Sequence, residues 1–221
     1  MSKGGSGFTL AETVMAVSVT LIIGLAVAGV AAALSNVQAN SEEYYEHLHS
    51  GRAAVNRLQA TLRKARLVTA IADDKLVIWA RDVRDPGQIN VSELVGVHVD
   101  SETNRLIERS VVFPSTMSDE LRDALDVVLP LSAVMNAALA DGPIGGLNQY
   151  EVARVLAYNV QRFRVYPDTS APLIRTVKLS VTVGSESHEV QLSGGATLRA
   201  VRVADVGQNV DGFFLSPPAV P

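Results

Sequence analysis

Three polar residues with alternate spacing are the first candidates for chemistry in this chain. Asp100, Glu102 and Asn104 occupy every second position, as the first ligands of a calcium-binding loop do. An EF-hand also needs a glycine at the sixth position and a glutamate at the twelfth, and this stretch has neither. The pattern therefore favours the tip of a hairpin with solvated polar side chains, and we predict no metal site.

The histidines do not form a ligand pair. His47 and His49 are two residues apart, which places them about 200° apart around a helix, so that they cannot hold one metal ion. Both are predicted to be solvated. His98 alternates with the apolar positions of a predicted strand and is predicted to be exposed. Solvated strand ends are predicted for four aspartates, Asp73, Asp74, Asp82 and Asp85.

Motifs of known enzyme classes are absent from the sequence. It contains no Gly-x-Ser-x-Gly, P-loop, dinucleotide fingerprint or His-Glu-x-x-His. The lack of cysteine excludes disulfides, thiol catalysis and cysteine-ligated zinc. A net charge of −4 and a pI of about 5.6 argue against a nucleic-acid binder with a basic surface. We therefore predict no enzymatic activity, no catalytic residue, no cofactor and no direct nucleic-acid partner.

The remaining candidate is a carboxylate at the start of an apolar stretch. Apolar sequence extends to Leu34, and no charged side chain occurs from Thr13 to Ser41, which is longer than the roughly 20 residues that a membrane-spanning helix needs. Glu12 lies near its beginning, and an unpaired charge at mid-bilayer costs about 2.5–3.5 kcal/mol. An ionisable residue in such a segment is a functional-site hypothesis by default. Residues 8–34 are thus predicted to be a transmembrane helix in which Glu12 has a function.

A short polar leader, residues 1–7, precedes this segment. Its only charged side chain is Lys3, and the sequence lacks the basic cluster and clear small-residue cleavage site of a secretory signal. Residues 31–33, three alanines, are the nearest candidate for such a site. Lys3 and the initiator amine predict a cytoplasmic N-terminus. The far flank, residues 42–46, is acidic with two tyrosines, so we expect the rest of the chain in the periplasm or outside the cell.

The stretch Gly7-Phe8-Thr9-Leu10-Ala11-Glu12 resembles the class III signal of type IV prepilins and type II secretion pseudopilins. In that family a membrane aspartic peptidase cleaves after the glycine and methylates the new N-terminal phenylalanine. The glutamate lies opposite the free amine of a neighbouring subunit. The resemblance implies cleavage between Gly7 and Phe8, methylation of Phe8, and an assembly role for Glu12. An ammonium from the next subunit would neutralise the carboxylate and favour one axial stagger.

A second helical pattern follows the apolar segment. Apolar or small residues recur at spacings of three and four, namely at Leu48, Gly51, Val55, Leu58, Leu62 and Ala65. No proline occurs from Phe8 to about Val68, which predicts one continuous helix whose residues 35–68 are amphipathic. The stripe alone fits a coiled coil or a helical bundle equally well. The strand-rich sequence that follows favours packing against a sheet.

Alternating apolar and polar positions predict an antiparallel sheet with one buried face within residues 69–203. Strands are predicted at 75–81, 94–99, 106–111, 160–166, 174–183 and 188–192. Residues 118–140 are predicted to be a helical insertion, with Ser118 as N-cap and a break at Pro130. Its apolar surface would be core or a contact with another subunit, and core is favoured. The proline-containing residues 204–221 are predicted to be a flexible tail.

These patterns predict an α+β chain in which a long N-terminal helix, half transmembrane and half amphipathic, packs on an antiparallel β-sheet with an inserted helical segment. The order of Ala53–Arg66, the Val97–Arg109 hairpin and the strands from Leu156 is similar to that of the larger minor pilins of W type and the J-type pseudopilins. The resemblance implies a single-pass inner-membrane protein that is assembled into a filament. Implied partners are other pilin or pseudopilin subunits, the prepilin peptidase, an inner-membrane assembly platform and a cytoplasmic ATPase. The alternative is an uncleaved, membrane-anchored periplasmic binding or sensory domain that does not polymerise.

Overall fold

The computed structural model describes residues 9–84, 87–142, 144–185, 188–198, 206–209 and 212–215. Its helices are α1 (Leu10–Lys64), α2 (Asp119–Leu125) and α3 (Leu131–Val134). Short 3-10 turns occur at Val91–Glu93, Ala137–Ala140, Ile144–Gly146 and Asn148–Tyr150. The chain divides into two compact units, residues 1–45 and 46–221. The first holds the beginning of α1, and the second holds its end and all of the strands.

The strands pair in antiparallel fashion throughout the described residues. They are β1 (Leu67–Ala72), β2 (Lys75–Trp79), β3 (Ile89–Asn90), β4 (Leu94–Asp100), β5 (Arg105–Val111), β6 (Val128–Leu129), β7 (Glu151–Ala157), β8 (Val160–Pro167), β9 (Thr176–Ser185), β10 (His188–Thr197), β11 (Val206–Asn209) and β12 (Gly212–Leu215). A five-stranded sheet has the order β1-β2-β4-β5-β7, and a three-stranded sheet has the order β10-β9-β8. Two further pairs are β3–β6 and β11–β12. The predicted α+β fold, with its helix on an antiparallel sheet, is confirmed.

The second part of α1 supplies one side of the main core. Its predicted stripe is buried at Val55, Leu58 and Leu62, because these side chains recur on one face of the helix. They join buried side chains from both larger sheets, including Val68, Leu76, Ile78, Val97, Leu106, Phe163, Leu179 and Val181. Helix and strands approach closely at Gly51. A Cβ added there would collide with Leu192 and would lie 3.0 Å from Cγ2 of Val183.

The helix ends at Lys64, four residues before the predicted end of the amphipathic segment. Ala65 closes the last turn by donating to the carbonyl of Leu62 at 3.1 Å, and Leu67 then opens β1. Val68, Thr69 and Ile71 are β-branched and fit a strand better than a helix. Their strand pairs with β2 to form a hairpin that the sequence pattern did not predict.

The segment that follows β5 covers the second face of the five-stranded sheet. The side chains of β2 and β4 that point away from the main core, among them Val77 and Leu94, are buried beneath this segment. An added Cβ at Gly96 would lie 2.9 Å from Cα of Ala140, so only glycine permits this approach. The prediction of one buried face is therefore wrong for this sheet, because the segment packs across it as a second layer.

The insertion is helical only in part, because Val128–Leu129, within the predicted helical stretch, form strand β6 and pair with β3. Ser118 caps α2, since its Oγ accepts a hydrogen bond from the Leu121 N–H at 3.3 Å. Pro130 separates the two helices and is the N-cap residue of α3. Leu131 and Val134 are buried in a second core cluster, so this part of the apolar surface is core, whereas Leu121 and Val128 are exposed.

Two short strands lie in the stretch predicted to be a flexible tail. Residues 206–209 pair with residues 212–215 as the hairpin β11–β12. Val206 and Phe213 pack against the second core cluster. The hairpin therefore packs on the sheet domain through these apolar side chains. The prediction of a flexible tail is wrong for these two strands, because it was based on the prolines further along the chain.

Candidate functional site

Glu12 lies in the first turn of α1 and closes a reciprocal cap with Thr9. Its carboxylate accepts hydrogen bonds from the N–H and from Oγ1 of Thr9, both at 3.0 Å. In return, the Glu12 N–H donates to Oγ1 of Thr9 at 3.4 Å. This is the capping box, in which a threonine at the N-cap and a glutamate three residues later satisfy each other's exposed donors.

The sequence contains the signature of this cap, although the sequence analysis did not predict it. Thr9-x-x-Glu12 directly before an apolar run is the signature of a capping box. The carboxylate also lies at the positive end of the helix dipole, which stabilises a negative charge. Glu12 therefore has a local role in one chain, whatever contacts it makes with another. Any test of its function must separate the cap from the charge.

Two other predicted site residues, Gly7 and Phe8, lie outside the described residues. Cleavage between them and methylation of Phe8 stay predictions.

The apolar part of α1 is suited to a hydrocarbon environment. Leu10–Gln38 is long and apolar enough to cross a membrane, and all of it is exposed in the described chain. Its hydroxyl groups donate to the carbonyls one turn earlier, Ser18 to Val14 and Thr20 to Ala16, each at 2.8 Å. Such back-bonding satisfies polar groups where no water is available. The described residues thus contain one helix able to span a membrane, which fits single-pass anchoring.

Aromatic and acidic side chains follow this segment. The rings of Tyr44 and Tyr45 meet edge to face with their centroids 5.9 Å apart, and both are exposed. Glu42 accepts a hydrogen bond from Nε2 of Gln38 at 3.0 Å. Tyrosine is enriched where a membrane meets water, so this end of the segment has the composition of an interface.

The other candidates from the sequence are not brought together. Asp100 accepts from the Glu102 N–H at 3.0 Å and from Oγ1 of Thr103 at 2.5 Å, and these bonds to its own turn lower its pKa. Among the residues that the structure describes, no group of three acidic or histidine side chains could hold a metal ion.

The prediction that His47 is solvated is wrong, whereas His49 is exposed as expected. His47 is buried because it lies four residues before Gly51 and so extends the apolar stripe of α1 by one turn.

His98 is likewise buried, contrary to the prediction, with 9% of its surface exposed. It lies on the face of β4 that the segment around Ala140 covers, and its Nδ1 has no hydrogen-bond partner among the described residues. Lys75, its cross-strand neighbour, pairs with Asp141 at 2.6 Å. Arg109 binds the carbonyls of Asp141 and Gly142 and pairs with Glu151. These contacts hold residues 137–142 against the sheet.

We expect this buried histidine to make the fold sensitive to mild acid. Burial lowers the pKa of His98, and nearby Arg109 lowers it further, whereas Ala140, Asp141 and Asp100 act in the opposite direction. In the unfolded chain the imidazole titrates near pH 6.5. As the pH falls below that value, the unfolded state takes up a proton first, so the free energy of unfolding decreases.

Thermal unfolding of the full chain in detergent, followed by circular dichroism, should show a loss of stability from about pH 7 to pH 5. His98→Gln should flatten the slope in this window, and His49→Gln, which changes an exposed histidine, should keep it. An unchanged slope in His98→Gln would show that other groups cause the pH dependence.

Buried carboxylates organise the loop between β2 and β4. Glu93 is 2% exposed and accepts hydrogen bonds from Nε1 of Trp79 at 3.0 Å and from the N–H of Val83 at 2.6 Å and of Arg84 at 3.1 Å. Asp126 accepts from the N–H and Oγ of Ser92 at 2.8 and 2.7 Å. These bonds anchor an irregular segment to the sheet.

Asp82, predicted to be solvated, joins this group. Its side chain is 2% exposed, pairs with Arg66 and accepts from the Gly87 N–H at 3.1 Å. The prediction failed because the loop folds back over the strand end. Asp85, which received the same prediction, lies outside the described residues.

Comparisons of the chain with protein-family models, curated proteins and solved structures give no match. Functional conclusions therefore rest on the residues and geometry of this chain.

Proposed function

We propose that this chain is a structural subunit of the type IV pilin or type II secretion pseudopilin kind. Residues 1–7 are removed after Gly7, Phe8 is methylated, and the subunit passes from the inner membrane into a filament. Its N-terminus faces the cytoplasm and its sheet domain the periplasm. In the filament, Glu12 meets the terminal ammonium of a neighbouring copy and sets the axial register.

One observation carries this proposal. A single carboxylate lies at the beginning of a 29-residue apolar helix segment, Leu10–Gln38, that is wholly exposed. The same helix, α1, ends in a face that packs on antiparallel strands. An exposed apolar helix must be covered by lipid or by other helices, and a carboxylate inside such surroundings is tolerated when a cation neutralises it.

The alternative is an uncleaved, membrane-anchored binding or sensory domain. The capping box favours it, because Thr9 satisfies Glu12 without any second copy. In that case Glu12 would remain at the end of the membrane segment and serve only to begin the helix. The two proposals differ in the N-terminus of the mature protein.

The mass of the mature N-terminus separates them. The full chain is produced in cells that contain a prepilin peptidase, isolated from their membranes and mapped by peptide mass spectrometry. We expect a chain that begins with N-methylated Phe8. A matched variant with a bulky side chain at the junction, Gly7→Val, should keep residues 1–7. A wild-type chain that begins at Met1 or Ser2 would contradict the proposal.

A further inference from the structure

An outward sheet face carries three cations that have no partner within the described chain. Phe163 and Val165 point into the core from β8, so Arg164 between them and Arg162 directly before them point outwards. Lys178 on the adjacent strand β9 is exposed on the same face, opposite Tyr166. The described residues offer none of these three cations an ion pair or hydrogen bond. We call Arg162, Arg164 and Lys178 the basic face.

In the sheet beneath the basic face, β9 pairs with β8 on one side and with β10 on the other, which fixes the positions of the side chains. Arg164 lies opposite Ser180, and Ser180 in turn lies opposite Ser193 on β10. Ser180 is buried and accepts a hydrogen bond from Nε2 of Gln191 at 2.9 Å. Among the described strands, Glu189 supplies a carboxylate to this face, at the far end of β10. The remainder of the face is positive, although the chain as a whole carries a net charge of −4.

Helix α2 has the opposite character. None of its residues is buried, which is unusual for a helix in a folded domain, where most helical stability comes from packing an apolar side. Asp119, Glu120 and Asp123 are exposed on it, and Leu121 exposes 49% of its surface among them. Asp119 contacts Arg122 at 3.6 Å, and Asp123 shares Arg84 with the buried Asp126. The helix therefore presents an excess of negative charge around an apolar side chain. We call Asp119, Glu120 and Asp123 the acidic helix face.

The two faces match in spacing as well as in charge. Arg162 and Arg164 are alternate residues of one strand, and such residues are about 6.6–6.8 Å apart. Residues four apart on a helix, such as Asp119 and Asp123, are separated by about 6 Å along its axis. Each face also has an exposed side chain with a large apolar part beside its charges, Tyr166 at 48% and Leu121 at 49%. Tyrosine and arginine are enriched where proteins bind one another.

We propose that the basic face of one copy binds the acidic helix face of a second copy of this chain. The basic face lies on the three-stranded sheet, and α2 belongs to the segment that covers the five-stranded sheet. The contact therefore joins two different patches, and each copy keeps one patch free for the next. Such a head-to-tail contact builds rings or open filaments. This inference goes beyond the proposed function, because the contact needs neither cleavage at Gly7 nor the charge of Glu12.

A charge-reversal exchange tests the contact on the full, uncleaved chain. Since the chain has no cysteine, Glu102→Cys in the exposed β4–β5 turn provides one labelling site for energy transfer between copies. The labelled chain is placed in vesicles of zwitterionic lipid at low density. Arg162→Glu/Arg164→Glu and Asp119→Lys/Glu120→Lys should each weaken association roughly tenfold. Association of the wild type should also weaken as salt is raised from 50 to 500 mM.

Mixing the two reversed variants should restore association, because the acidic sheet face of one then meets the basic helix of the other. The matched control Arg52→Glu/Arg63→Glu changes the charge equally elsewhere and should associate as the wild type does. Circular dichroism identifies variants that do not fold. The proposal is overturned if the mixture stays dissociated, or if the α2 variant associates normally while the sheet variant does not. It is also overturned if wild-type association requires anionic lipid, because the basic face would then bind headgroups.

Discussion

Replacement of Glu12 by glutamine is expected to prevent incorporation into filaments while leaving the cap of α1 intact. Glutamine serves as well as glutamate at this position of a capping box, so Glu12→Gln keeps the bonds to Thr9 and removes only the charge. Loss of one partner of a buried ion pair costs about 3–5 kcal/mol. A loss of about 3 kcal/mol lowers an equilibrium constant roughly a hundredfold. The amount of subunit in sheared filaments, relative to the membrane pool, measures the effect.

The reciprocal variant Thr9→Ala removes the two hydrogen bonds of the Thr9 hydroxyl, including its acceptance from the Glu12 N–H, and keeps the charge. A lost N-cap costs about 0.5–2 kcal/mol of helix stability, which is small for a helix of 55 residues, so this variant should be incorporated. Mass spectrometry must show that both variants are cleaved equally. Normal incorporation of Glu12→Gln together with failure of Thr9→Ala would assign Glu12 to the cap alone and remove its assembly role.

Truncation of Glu93 is expected to be the most destabilising single change in the sheet domain outside its apolar core. Glu93→Ala leaves three N–H donors, those of Trp79, Val83 and Arg84, without their acceptor. Each buried donor left unsatisfied costs about 1–3 kcal/mol. Because water can reach the loop donors, we expect a total loss of about 2–4 kcal/mol. Glu93→Gln keeps the volume and one acceptor oxygen and should lose less.

Trp79 reports this change directly, since it is the only tryptophan of the chain. Urea unfolding of the full chain in detergent, followed by its emission, should give a lower midpoint for Glu93→Ala. Glu102→Ala removes an exposed carboxylate from a turn and should stay within about 0.5 kcal/mol of the wild type. Equal midpoints for Glu93→Ala and Glu102→Ala would show that the loop contacts contribute little to stability.

Features determined by neighbouring residues were predictable from the sequence. The β4–β5 hairpin, the cap at Ser118 and the stripe through Leu58 follow from periodicity and turn chemistry within a few positions. The apolar segment with Glu12 was equally clear. The cap between Thr9 and Glu12 has the same local character, because the spacing Thr-x-x-Glu before an apolar run is enough to predict it.

Features that depend on distant segments were not predictable in this way. The alternation of β4 correctly separates His98 from the valines, but it does not reveal that residues 112–142 and 144–150 return to cover the second face. Lys75 and Arg109 hold that cover through residues more than thirty positions away. The prediction for Asp82 failed for a similar reason, because a charged residue next to a strand is ordinarily solvated. Burial of such groups follows from tertiary contacts, which a single-sequence pattern does not contain.

The close approach at Gly51 has a mechanical consequence. The side chains of Val183 and Leu192 occupy the space that a side chain at this position would fill. They therefore pack into a gap in the helix surface at Gly51. Displacement of α1 along its axis would bring the larger side chain of Val55 towards Val183 and Leu192, so we expect this contact to resist such a displacement. Val183 and Leu192 belong to β9 and β10, which share ten paired positions, so this contact connects α1 to the longest ladder among the described strands.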